Sequence, residues 1–167
     1  MAAIYSFKCG KCGKIHEGAP SIAFDAPAYW SDIPDSERSK RGKIDADLCK
    51  ADGHHFVRVC LEIPIVGVAA PFLWGVWTSV SETNFRRYIE TWDNPDESDA
   101  YFGWLNNRLP YYPDTMNLKV MVRPHKGGRR PTLEPEPTDH PLSVDYREGL
   151  SPDRAQEIAE YSLHQRG

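Results

Sequence analysis

The chain has 167 residues, 40% hydrophobic and 26% charged, with a formal net charge of −4. That length suits one domain, residues 1–167, with room for a sizeable core. The acidic balance gives no general attraction to nucleic acid or to an anionic membrane.

No apolar run approaches the length of a membrane span, and the opening Met1-Ala-Ala-Ile-Tyr-Ser-Phe-Lys8 does not read as a signal peptide. A soluble, cytoplasmic protein is therefore expected, with its four cysteines (Cys9, Cys12, Cys49 and Cys60) in a reducing compartment.

In chain order, alternation over residues 4–8 predicts a short strand that delivers Cys9. Cys9-Gly-Lys-Cys12-Gly reads as a tight turn. Residues 20–34, rich in Pro and aromatics, read as a strand or extended segment, and 34–41 as a short surface helix ended by Gly42. Residues 54–63 form a long strand with Phe56, Arg58, Cys60 and Glu62 on one face and Val57, Val59, Leu61 and Ile63 on the other.

A second strand over 72–80 puts Phe72, Trp74, Val76 and Val80 on one face and Leu73 and Trp77 on the other. Ser81 then opens an amphipathic helix through Trp92, striped by Phe85, Tyr88, Ile89 and Trp92. Strands follow at 101–105 and 117–123, with 132–134 pairing back as a hairpin. Ser151-Pro152-Asp153 opens a last helix to about His164. The expected fold is α+β: a mixed, mainly antiparallel sheet with two or three helices and an N-terminal zinc knuckle within residues 1–55.

Two thiolates on a tight turn suit zinc, which takes soft ligands in a tetrahedron. Cys9 and Cys12 supply half a site. Cys49 is the best third ligand and His16, four residues beyond Cys12, the best fourth, with His54, His55 and Asp47 in reserve. The competing readings are free thiols in a hydrophobic cluster, a redox pair, or iron in place of zinc. Cys60, in mid-strand, reads as a small buried hydrophobe. Four protein ligands would make the site structural, because catalytic zinc keeps one position open for water.

A series of motifs adds to this. Cys9-x-x-Cys12-x-x-x-His16-Glu17-Gly18, Asp47-Leu48-Cys49, Trp74-Gly75-Val76-Trp77, Tyr101-Phe102-Gly103-Trp104-Leu105, Tyr112-Pro113-Asp114-Thr115 and Glu134-Pro135-x-x-Thr138-Asp139-His140-Pro141-Leu142 occur in that order. Together they resemble the bacterial family of unknown function numbered 2199, over nearly the whole chain. The resemblance implies a single domain and a metal set of Cys9, Cys12, His16 and Cys49, and it carries no catalytic residue.

Three further constellations remain. Trp74 and Trp77 point to opposite faces, so one needs a cover from the protein's own loops or from a ligand; Tyr101, Trp104, Tyr111 and Tyr112 are candidates for that cover or for a partner surface. Glu134, Asp139 and His140 form the most catalytic-looking cluster, as a hydrolase or transferase site, against the alternative of a proline-pinned polar loop. His125-Lys126-Gly-Gly-Arg129-Arg130 is a basic loop able to hold a phosphate or carboxylate, or nucleic acid as the last-ranked partner. The leading expectation is a zinc-stabilised, non-catalytic protein-binding or regulatory module. Its partner surface would draw on Trp77, Tyr111, Tyr112, Arg129, Arg130, Asp139 and His140.

Overall fold

The computed structural model describes residues 6–164; residues 4 and 5 of the expected first strand lie outside them. Two long strands organise the chain: β6 (His54–Ile63) and β7 (Phe72–Val80), antiparallel from His55↔Val80 to Ile63↔Phe72. Five shorter strands precede them among the described residues: β1 (Ser6–Lys8), β2 (Ile15–Glu17), β3 (Ser21–Ala23), β4 (Gly42–Ile44) and β5 (Leu48–Ala51). After them come β8 (Tyr101–Leu105), β9 (Lys119–Arg123) and β10 (Thr132–Pro135).

Strands β6 to β10 run as an antiparallel meander, and β10 then meets β6 with Thr132 opposite Cys60. Five strands that alternate in direction begin and end pointing the same way, so the closing pair has to be parallel, as it is. The result is a closed five-stranded barrel, which removes the two sheet edges an open meander would expose. Because β6 and β7 are longer than the barrel needs, their outer edges carry additional strands. β5 and then β4 continue the sheet from β6, and β3 lies parallel to β7.

The barrel interior follows the period-2 pattern of the sequence. Val57, Val59, Leu61 and Ile63 of β6 meet Phe72, Trp74 and Val76 of β7, with Tyr101, Leu105, Val120, Val122 and Leu133 from the remaining strands, all buried in one cluster. On the opposite face of β6 and β7, Phe56 and Trp77 form a second cluster with Cys49, covered by Phe24, Tyr29 and Trp30.

Five helices are present among the described residues, rather than two or three. Three match the sequence expectation: α2 (Asp35–Arg41), α3 (Glu82–Glu90), capped by the Ser81 hydroxyl, and α5 (Pro152–Leu163), capped by Ser151. The other two correct it. α1 (Ala28–Asp32) lies inside the segment read as extended; it has no side-chain cap of its own, and Asn106 accepts from its first two N–H groups instead. α4 (Pro141–Glu148) begins at the last proline of the expected polar loop and fills a stretch to which the sequence reading assigned no element, started by His140 as cap and Pro141 in its first turn. Among the described residues, no helix is long and apolar enough to cross a membrane.

Candidate metal centre

The hairpin β1–β2 stands apart from the barrel sheet as a two-stranded ribbon, with Phe7 opposite His16 and their rings stacked at 5.1 Å. Its turn is closed by Cys9 N–H donating to the Lys14 carbonyl at 2.8 Å and Gly13 N–H donating to the Cys9 carbonyl at 2.9 Å. This places Cys9 inward, almost wholly buried beside Phe7 at the edge of the main core, and leaves Cys12 exposed.

The other wall of the site comes from the far end of the chain. Gln156, Glu160 and His164 recur every fourth residue, so they line one face of α5 and its cap. All three reach the hairpin. Gln156 donates to the Lys8 carbonyl at 3.3 Å, Glu160 accepts from Gly10 N–H at 2.8 Å, and His164 Nε2 lies 3.1 Å from Cys9 Sγ. The opposite face of α5, with Ala155, Ile158 and Ala159, is buried in the core.

Cys9, Cys12, His16 and His164 thus offer four ligand atoms, all within 4.8 Å of one another, close enough to bind a metal ion. Cys12 Sγ lies 3.4 Å from His16 Nε2. A tetrahedral ion with sulfur at about 2.3 Å and nitrogen at about 2.0 Å holds its ligand atoms roughly 3.3–3.8 Å apart, so the observed spacings suit such an ion with small adjustments. Electrostatics at Cys9 point the same way. Desolvation alone would push its thiol up, but hydrogen bonds from the backbone of Cys12 and Lys11 and from the Cys12 side chain bring it below its ordinary value, toward the thiolate that binds metal.

Cys49 is not brought to this cluster. It sits on β5 between Ile44 and Phe56, packed with Phe56 and Trp77. Burial pushes its thiol up to about 12, so it stays a neutral, apolar group at ordinary pH. The fourth position of the cluster falls to His164. The reserve residues are engaged elsewhere: His54 packs on Tyr29, His55 on Phe85, and Asp47 takes the Arg130 guanidinium. Cys60 is half-buried on the outer face of β6, and burial raises its thiol as well.

The other candidate residues do not assemble into one site. Trp77 is wholly buried, its indole N–H donating to the Phe24 carbonyl at 3.0 Å; its cover is Phe24, Tyr29 and Trp30, not Tyr101, Trp104, Tyr111 or Tyr112. Tyr112 is buried and donates to Asp145 at 2.7 Å, and Tyr111 lies under the Arg154 guanidinium at 5.3 Å. These contacts build the fold, so Trp77 and Tyr112 are withdrawn from the partner surface.

Glu134, Asp139 and His140 also part company. Glu134 pairs with Arg123, Asp139 is exposed, and His140 has both ring nitrogens in use. Its Nδ1 accepts from Leu142 N–H, which leaves Nε2 to donate to the Asp114 carbonyl at 3.0 Å. Arg129 meets Glu62 and Arg130 meets Asp47, so two charges of the basic loop are partly balanced.

One family model matches the chain, over residues 8–150; the family is described as an uncharacterized protein conserved in bacteria (DUF2199). Cys9, Cys12 and His16 lie within the matched residues, whereas α5 and His164 lie beyond them. No curated protein and no solved structure gives a match.

Proposed function

The chain belongs to this bacterial family, and from that premise we propose that it is a zinc-bound, non-catalytic binding or regulatory module of the cytoplasm that engages another protein. The observation that carries the reading is the closed Cys9–Cys12–His16–His164 set, drawn from the two ends of the described chain. Two thiolates and two imidazoles suit zinc, and four protein ligands leave no position for substrate or water. When bound, zinc would supply charge neutralisation of the two thiolates and a rigid cross-link between hairpin and helix, as in other structural sites.

A non-catalytic role is supported by the separate engagements of Glu134 and His140. With Trp77 and Tyr112 inside the protein, the partner surface is better drawn at Phe102 and Trp104. Both are 40% exposed on the outer face of β8, edge to face at 4.9 Å.

Metal content per chain tests the core of this reading. Wild type and Cys49→Ala are expected to hold one zinc each, and His164→Ala to lose zinc affinity together with thermal stability. Zinc that leaves with Cys49 and stays without His164 overturns the assignment. An exchangeable water on the zinc of the wild type itself would turn the reading toward catalysis. For the partner surface, Phe102→Ala/Trp104→Ala should lose proteins that wild type captures from a bacterial extract, while Tyr111→Phe keeps them.

A further inference from the structure

A second site, sharing no residue with the metal cluster, lies where the basic β9–β10 loop faces the end of α3. A cavity of about 400 Å³ opens there. One wall is aromatic: Tyr88 from α3 and Trp92 just beyond it, edge to face at 5.4 Å, with Trp92 46% exposed. The facing wall is cationic: Arg129 and Arg130, with His125 beside them. Gly127 and Gly128 both adopt the left-handed region, at φ of 75° and 72°, and let the loop turn tightly enough to present the two arginines side by side.

Each guanidinium is only partly used. Arg129 donates from Nη2 to Glu62 at 3.1 Å, and Arg130 from Nε to Asp47 at 3.0 Å. The remaining N–H groups of both have no protein partner among the described residues, and neither does the Tyr88 hydroxyl. Half-exposed ion pairs of this kind contribute little and do not outcompete a ligand for the free donors.

The other charges facing the cavity are few. Asp47 lines it but is held by Arg130, and Glu97 lies 3.7 Å from His125 Nδ1, whose Nε2 is 2.7 Å from the Thr132 hydroxyl. On a chain with a net charge of −4 this is a local reversal of sign.

We propose that this cavity is a binding site for a small ligand that joins an aromatic ring to a phosphate or carboxylate. The ring lies against Trp92 and Tyr88, and the anion takes the free donors of Arg129 and Arg130. An arginine fork matches the planar, bidentate geometry of such anions, whereas the aromatic wall rewards a flat apolar group. The volume falls in the range of small-molecule sites.

The test is a titration of the zinc-loaded protein with phenyl phosphate, inorganic phosphate and benzyl alcohol, followed by the NMR signal of the Trp92 indole N–H. It is assigned by its loss in Trp92→Leu. Phenyl phosphate is expected to shift that signal saturably and to bind more tightly than either probe that carries half of its chemistry. Arg129→Gln/Arg130→Gln, whose exposed side chains leave folding intact, should weaken phenyl phosphate by about tenfold or more. Three results would overturn the proposal: no saturable shift at millimolar phenyl phosphate, equal binding by the arginine double variant, or inorganic phosphate binding as tightly as phenyl phosphate.

Discussion

Asp52 occupies the turn between β5 and β6 with φ of 50°, a left-handed conformation that Asp and Asn tolerate better than most residues. Its carboxylate accepts from Arg41 Nε, shared between both oxygens at 3.1 Å, from Arg41 Nη2 at 2.5 Å, and from the Tyr29 hydroxyl at 2.7 Å. The Arg41 bond first, and then the Tyr29 bond, hold the Asp52 carboxyl at about 2. A carboxyl depressed in the folded state contributes stability above its unfolded value near pH 4, and loses that contribution as pH falls toward about 2. Asp52→Asn keeps the backbone conformation and removes the titration. Denaturation at pH 5, 3 and 2 should therefore show wild type more stable at pH 5, with the gap closing by pH 2. A gap that stays constant across that range would show that this carboxylate contributes nothing through its ionisation.

Elements depend on equally local conditions. Where β7 and β8 pair, the strands come so close that a Cβ on Gly103 would stand 2.2 Å from the Ser79 carbonyl oxygen and 2.7 Å from the Thr78 methyl. Backbone cannot yield there without opening the ladder, so Gly103→Ala should cost about 1–3 kcal/mol or more, read by chemical denaturation. An unchanged midpoint would mean that β8 can shift along β7. At α5, the Ser151 hydroxyl accepts from Arg154 N–H at 3.1 Å. Ser151→Ala should cost about 1 kcal/mol. Since His164 caps the far end of α5, this substitution should also weaken the retention of zinc added to the protein against a chelator if the proposed site holds, whereas the equivalent cap removal at α3, Ser81→Ala, should not.

At the scale of the whole molecule, the Cys9–Cys12–His16–His164 cluster and the barrel rest on different forces. The barrel closes on buried aliphatic and aromatic side chains, whereas β1–β2 is a three-residue-strand ribbon that a two-stranded sheet alone would barely stabilise. Chelation should therefore speed amide exchange in residues 6–17 and in the last turn of α5 while β6 and β7 stay protected. Uniform acceleration would show that the barrel itself needs the metal.

What the sequence determined by itself was local. The two-residue face pattern marked β6 and β7 residue for residue, a short apolar run marked β8, the Ser-Pro-Asp start marked α5, and Cys-x-x-Cys marked the knuckle, because each of these signals lies within one element. Pro141, which starts α4, read together with Pro135 and Pro137 as part of a polar loop. Tertiary structure decided the rest. α1 takes its caps from Asn106, far along the chain, and no periodicity announces that. His164 lies 155 residues from Cys9; its one trace is the four-residue recurrence of polar Gln156, Glu160 and His164 opposite an apolar face, a pattern that solvent-facing helices share. Cys49, by contrast, followed a strand as a ligand would, and only the packing of Phe56 and Trp77 around it shows an inward-facing thiol too desolvated to ionise. Short-range patterns record which groups must be buried; which distant groups then meet is settled by the closure of the barrel and the docking of α5 on it.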